Sequence, residues 1–179
     1  KALNQLLWDT HWGELDYLIV DLPPGTGDVH LSLVQSIPLT GAVVISTPQN
    51  IALADARKGV AMFQMDSIGV PVLGFVENMS FFTPAELPNN KYYIFGEGGT
   101  QQLAQQLGLP VLAEIPLVQS VREAADVGRP AVLQGSTPAA IAFVKMAENV
   151  VEELNKRNVN LAATKKVEIT TMSGCSTNE

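Results

Sequence analysis

Cysteine is nearly absent: Cys175 is the single thiol in 179 residues. One thiol cannot close an intrachain disulfide, which excludes a disulfide scaffold and points to a reducing compartment. Histidine is almost as scarce. His11 and His30 lie apart from each other and from the cysteine, so no zinc-ligand spacing and no Ser-His-Asp order is legible. Positive charge is the minor sign, with 11 Lys and Arg against 18 Asp and Glu. That balance argues against nucleic acid as a partner, because non-specific binding rests on neutralising phosphates. No apolar run reaches transmembrane length and no secretory leader pattern opens the chain. Both absences speak for a cytoplasmic protein and against stable membrane insertion. Nor is there any G-x-x-x-x-G-K-S/T, so a complete phosphate-binding loop is missing from these residues.

What is present suits one globular domain, since 46% hydrophobic residues in a chain of this length can fill a sizeable core. Short apolar runs alternate with helix-period segments. Residues 18–22, Leu-Ile-Val-Asp-Leu, read as a buried parallel strand that Pro23, Pro24 and Gly25 bring to an end. Asp21 then sits at the carboxyl tip, where open α/β sheets bind ligands. An acid at such a tip suits Mg²⁺, held through water, and the glycine behind it can offer its N–H to a terminal phosphate. A plain turn cap is the alternative for the acid. Further strands are expected over residues 41–47, 70–76 and 110–115, and helices over 29–36, 51–65, 100–107, 119–126 and 137–154. Asp28 and Thr100 are the expected caps of the first and third of these helices, and Thr137-Pro138 opens the last. The alternation implies a doubly wound α/β domain with a mostly parallel sheet over residues 1–155, followed by a polar, flexible tail over 156–179. Within that tail residues 167–170 could form an edge strand.

Asp21-Leu22-Pro23-Pro24-Gly25-Thr26-Gly27-Asp28 resembles the Walker B and switch II segment of the Mrp/ApbC branch of the MinD-type deviant P-loop ATPases, which are iron–sulfur cluster carriers. Thr47-Pro48-Gln49, Val76-Glu77-Asn78-Met79-Ser80, Ile94-Phe95-Gly96-Glu97-Gly98-Gly99 and Ile115-Pro116-Leu117 follow in that family's order. The resemblance implies an ATP site. In it Asp21 holds Mg²⁺ through water and Gly25 senses the terminal phosphate, with Pro24 and Thr26 in the same loop. Asn78 hydrogen-bonds adenine, and Pro116 and Leu117 wall it on one side. Read without the family, Asn78 is a strand terminator that bonds to its own backbone.

Two departures from the family matter. Its lysine-bearing glycine loop does not occur, and the chain opens on Lys1-Ala2-Leu3 without an initiator Met. The expectation is therefore the C-terminal portion of a longer ATPase, with the first strand and phosphate loop upstream and no ATP hydrolysis by this portion alone. Cys-Pro-x-Cys, whose thiolates in relatives grip a cluster across a homodimer, is replaced by Phe81-Phe82-Thr83-Pro84-Ala85-Glu86-Leu87-Pro88. Cys175 is left as the one soft ligand toward a 4Fe-4S cluster, or as an incidental tail residue. Two functions stand side by side: a homodimeric carrier that passes clusters to iron–sulfur apoproteins, and a MinD-like nucleotide-gated positioning protein without a cluster.

Overall fold

The computed structural model describes residues 2–84, 86–87 and 89–167. Three parallel strands form its sheet: β1 (Ala42–Ser46), β2 (Val72–Phe82) and β3 (Val111–Leu117), in the order β1-β2-β3. Helix α1 (Ala2–Asn4), continued by a π-helical turn to Asp9, and α2 (Asp28–Ser36) precede β1. The crossovers are α3 (Asn50–Phe63) between β1 and β2, and α4 (Gly99–Leu107) between β2 and β3. The short α5 (Gln119–Asp126) and the long α6 (Pro138–Asn160) follow.

The layers follow from side-chain alternation along β2, since neighbours on a strand point to opposite faces. Phe75, fully buried, packs with Ala56 and Val60 of α3 and with Leu103 and Ala104 of α4. Val76 faces the other way, into Leu112 and Ile115 of β3 and Phe143, Met146 and Val150 of α6. Burying one such side chain contributes roughly 1.5–3 kcal/mol. β2 is thus covered on both faces and paired on both edges, which makes it the central strand of the described sheet. Gly74 is needed there: a Cβ added to it would lie 2.6 Å from the Pro110 carbonyl oxygen, against which β2 is pressed. A third cluster joins Val34 of α2 to Met62, Phe63, Ile68 and Val70, and Leu22 packs against it.

Several expectations change. Residues 18–22 are not a strand. They run irregularly, with Ile19 90% exposed, and no described strand pairs with them. A parallel strand draws its stability from hydrogen-bonded neighbours and two covering layers. Here β1 pairs with β2 alone among the described residues, and Ile45 in it is 62% exposed. The chain opens on the short α1 and its π-helical turn, with Leu6 62% exposed. Asp28 is the first residue of α2, with Gly27 at the cap, so its charge meets the helix dipole without a side-chain cap bond. β2 runs on to Phe82, past the expected end at Val76. α6 reaches Asn160, beyond Leu154, where Arg157 bonds the Ala162 carbonyl and Thr164 Oγ1 and turns the chain back toward α2. There the Val167 N–H donates to the Val34 carbonyl at 3.2 Å. The rest of the expected edge strand at 167–170 lies outside the described residues. Thr137 caps α6 as its sequence implies, accepting the Ala140 N–H at 3.2 Å, with Pro138 as the first helical residue.

Candidate functional site

Because all three strands are parallel, their carboxyl ends share one edge of the sheet, and α3, α4 and α5 start from it. The sheet register brings the expected base-side residues together there. Asn78 is the Cα partner of Ile115, and Pro116 and Leu117 complete β3 just beyond it, Leu117 as the partner of Phe82. Register breaks between Asn78 and Phe82, where Met79 takes φ 54, the one positive φ among the described non-glycine residues. Asn78 Oδ1 accepts the Met79 N–H at 3.0 Å. That leaves its amide N–H groups and a second oxygen lone pair free for a partner. The side-chain-to-backbone bond expected of a strand-ending Asn is therefore made, and it fixes the amide without using it up.

On the other side Asp21, Pro24, Gly25 and Thr26 are exposed on the irregular segment that enters α2. Asp21 has no ion pair among the described residues. Gly25 has φ 95, a conformation for which glycine is the ready residue, and the space a Cβ would take is open. A lone exposed carboxylate and an open backbone N–H fit the modest demand of Mg²⁺, which takes one or two protein carboxylates and fills its remaining positions with water and phosphate oxygens. No group of three or more His, Cys, Asp or Glu able to hold a metal by itself occurs among the described residues. The Cys175 assignment lies outside the described residues.

The glycine-rich stretch at residues 94–99 is a close packing surface. A Cβ on Gly99 would stand 2.6 Å from the Pro48 carbonyl oxygen and 2.7 Å from Leu53 Cδ1, and one on Gly96 would stand 3.4 Å from the same oxygen. Only glycine lets this loop lie on the turn at the end of β1. Thr100 is the second residue of α4, after a left-handed Gly98 cap, and its hydroxyl is buried without a partner among the described residues.

Sequence reasoning missed the group that satisfies this helix start. Glu77, 1% exposed, accepts the Thr100 N–H on Oε2 at 3.1 Å and the Ser80 hydroxyl on Oε1 at 2.6 Å. The signal was available, for Glu77 follows the apolar run of β2 much as Asp21 falls near the end of the run at residues 18–22. Around it, Tyr93 has its hydroxyl pKa raised, first by loss of hydration and then by the charges of Glu97, Glu114 and Glu77. Gln101 on α4 donates to Glu114 of β3. Beyond Ser80, Phe82 exchanges backbone bonds of 2.8 Å with Tyr92, closing residues 82–92 into a hairpin. Lys91 Nζ lies 4.0 Å over the Phe81 ring at its base. The described part of that hairpin holds no thiol.

A parallel sheet between helical layers, polar residues converging on its carboxyl edge and an acid-Pro-Pro-Gly loop feeding a helix define the P-loop NTPase class of α/β domain. The chain belongs to the ParA family of that class, described as NUBPL iron-transfer P-loop NTPase, which matches residues 1–151. It is 51% identical over 155 residues to the iron-sulfur cluster transfer protein NUBPL of Mus musculus, with 86% of this chain and 48% of that protein covered. To the iron-sulfur cluster carrier protein of Pyrococcus furiosus it is 48% identical, with 87% of this chain and 52% of that protein covered. Among solved structures, the nucleotide-binding protein of Archaeoglobus fulgidus in complex with ADP is similar at TM-score 0.66 and 36% identity, over 79% of this chain and 56% of that one. The chain thus spans about half the length of the curated relatives it matches.

Proposed function

We propose that the chain supplies the magnesium-holding and base-holding half of an ATP-dependent iron–sulfur cluster carrier. The observation that supports this reading is the β2–β3 register, in which Asn78, its amide still able to bond a partner, pairs with Ile115 just ahead of Pro116 and Leu117 at the carboxyl end of β3. In the proposed site Asn78 reads adenine while Pro116 and Leu117 pack on it. Asp21 orients a water-held Mg²⁺, and the Gly25 N–H meets the terminal phosphate, with Pro24 and Thr26 holding that loop in shape. Mg²⁺ supplies charge neutralisation on the phosphates. The lysine-bearing glycine loop comes from sequence outside these residues, and the strand ahead of it seats on the free edge of β1. Release of the Pro23 to Asp28 loop after hydrolysis shifts α2, in the order–disorder manner of nucleotide switches. The working unit is a homodimer in the cytoplasm, and its cargo, a 4Fe-4S cluster, passes to iron–sulfur apoproteins. Asp21→Ala in the full-length protein is expected to abolish Mg-ATP turnover, and retained turnover would refute the assignment.

One observation favours a second reading, nucleotide-gated partner binding without a cluster: the hairpin where relatives carry Cys-Pro-x-Cys has no thiol in its sequence. Anaerobic reconstitution of the full-length protein with iron and sulfide, wild type against Cys175→Ala, separates the two. A cluster absorbance that disappears with Cys175 supports the carrier, and no cluster in the wild type supports the alternative.

A further inference from the structure

Glu77 is a buried carboxylate without an ion pair among the described residues. Such a group is costly unless donors and a favourable dipole surround it. Both are present: the Ser80 hydroxyl, the Thr100 N–H, and the start of α4, whose dipole favours negative charge. The neighbours of Glu77 show what this arrangement serves. Ser80 and Glu77 flank Asn78 and Met79, and their 2.6 Å bond clamps the strand across the left-handed Met79. A left-handed non-glycine residue persists where its surroundings over-determine it. From the other carboxylate oxygen the link runs through Thr100 to Gly99, which is seated on the Pro48 carbonyl at the end of β1. Gly98 offers no side-chain cap and the Thr100 hydroxyl is unpaired, so Glu77 alone provides the side-chain acceptor to the first turn of α4 among the described residues.

We propose that Glu77 is the positioning residue of the base site: by clamping Ser80 and anchoring α4 it holds Asn78 at the angle from which its amide meets a purine. The inference rests on the reading of Asn78 as the base contact. Glu77 touches no nucleotide and acts through Asn78. It therefore governs discrimination between bases and leaves recognition of the phosphates alone.

The test measures dissociation constants of the full-length protein for Mg-ATP, Mg-GTP and Mg-tripolyphosphate, the last being a probe without a base. Wild type is compared with Asn78→Ala, Glu77→Ala, Glu77→Gln and Ser80→Ala. Ser80→Ala breaks the clamp while keeping the buried carboxylate tied to α4, so it decides the matter if Glu77→Ala fails to fold. Glu77→Ala and Ser80→Ala are expected to lower the ATP-over-GTP preference by about tenfold, toward that of Asn78→Ala, as loss of a charge-assisted hydrogen bond implies. Tripolyphosphate binding should stay at the wild-type value. Glu77→Gln should keep most of the preference, because its carbonyl can accept from Thr100 while its amide donates to the Ser80 oxygen. The inference is overturned if Asn78→Ala abolishes the preference and Ser80→Ala and every folded Glu77 variant retain it. A parallel fall in tripolyphosphate affinity overturns it as well, by showing a general structural loss. If wild type shows no preference, or Asn78→Ala keeps it, the reading of Asn78 itself fails.

Discussion

Residues 18–22 and residues 72–76 are similar stretches of sequence. Leu-Ile-Val-Asp-Leu and Val-Leu-Gly-Phe-Val are short apolar runs, and an acid falls within the first and directly after the second. One is the best-buried strand of the molecule, with Phe75 0% exposed; the other is irregular, with Ile19 90% exposed. Composition does not separate them. What separates them is that β2 has a neighbour on each edge and helices on both faces, whereas residues 18–22 pair with no described strand and join the core clusters only through Leu22, among the described residues. Strand-forming sequence is permission to pair, and pairing needs a partner.

The strongest way to sharpen this contrast is to truncate one side chain in each stretch. Phe75→Ala should destabilise the chain by about 3–5 kcal/mol in urea unfolding, because it leaves a cavity between α3 and α4. Ile19→Ala should stay within about 0.5 kcal/mol, having nothing to lose. The same Ile19→Ala in the full-length protein should cost about 2–5 kcal/mol if residues 18–22 are buried there. A smaller effect is expected where β2 touches β3: Gly74→Ala drives a methyl against the Pro110 carbonyl and should cost about 1–3 kcal/mol. Smaller again is the loss from the layer that residues 18–22 lack, since α6 covers the Val76 face of β2. Removing its cap with Thr137→Ala should cost about 1 kcal/mol by thermal or urea unfolding.

The smallest effect lies on the exposed side of α6. There Lys156, 2.8 Å from Glu152, lowers the pKa of that carboxyl through a hydrogen bond and its charge. A depressed carboxyl stabilises the fold above its unfolded pKa and loses that contribution as pH falls through the lowered value. Lys156→Ala should therefore lower Tm slightly near neutral pH and not at all in acid, as read by paired melts at about pH 7 and about pH 2.

Much of the fold was legible because its signals are local. The runs that became β1 and β3, the helix periods of α3, α5 and α6, and Thr137-Pro138 each carry their reason within a few residues. What could not be read depends on residues distant in sequence. The strand at 18–22 failed because no described strand pairs with it. Thr100 does not cap α4, since an acid 23 residues earlier satisfies that turn. The glycines at 96–99 looked permissive and prove to be contact glycines, a role that needs Pro48 in view. Of the candidate site, the family resemblance named Asn78, Pro116 and Leu117, while the pairing of Asn78 with Ile115, just ahead of the other two, came from strand register. Asp21, Pro24, Gly25 and Thr26 were named from the motif, and the structure shows them open to solvent.

Amide hydrogen exchange at Leu18, Ile19 and Val20, compared between this chain and the full-length protein, tests the central claim most directly. The account expects rapid exchange in this chain and strong protection in the full-length protein, as the stretch gains a neighbouring strand and sets Asp21 at its tip. Equally rapid exchange in both would contradict it.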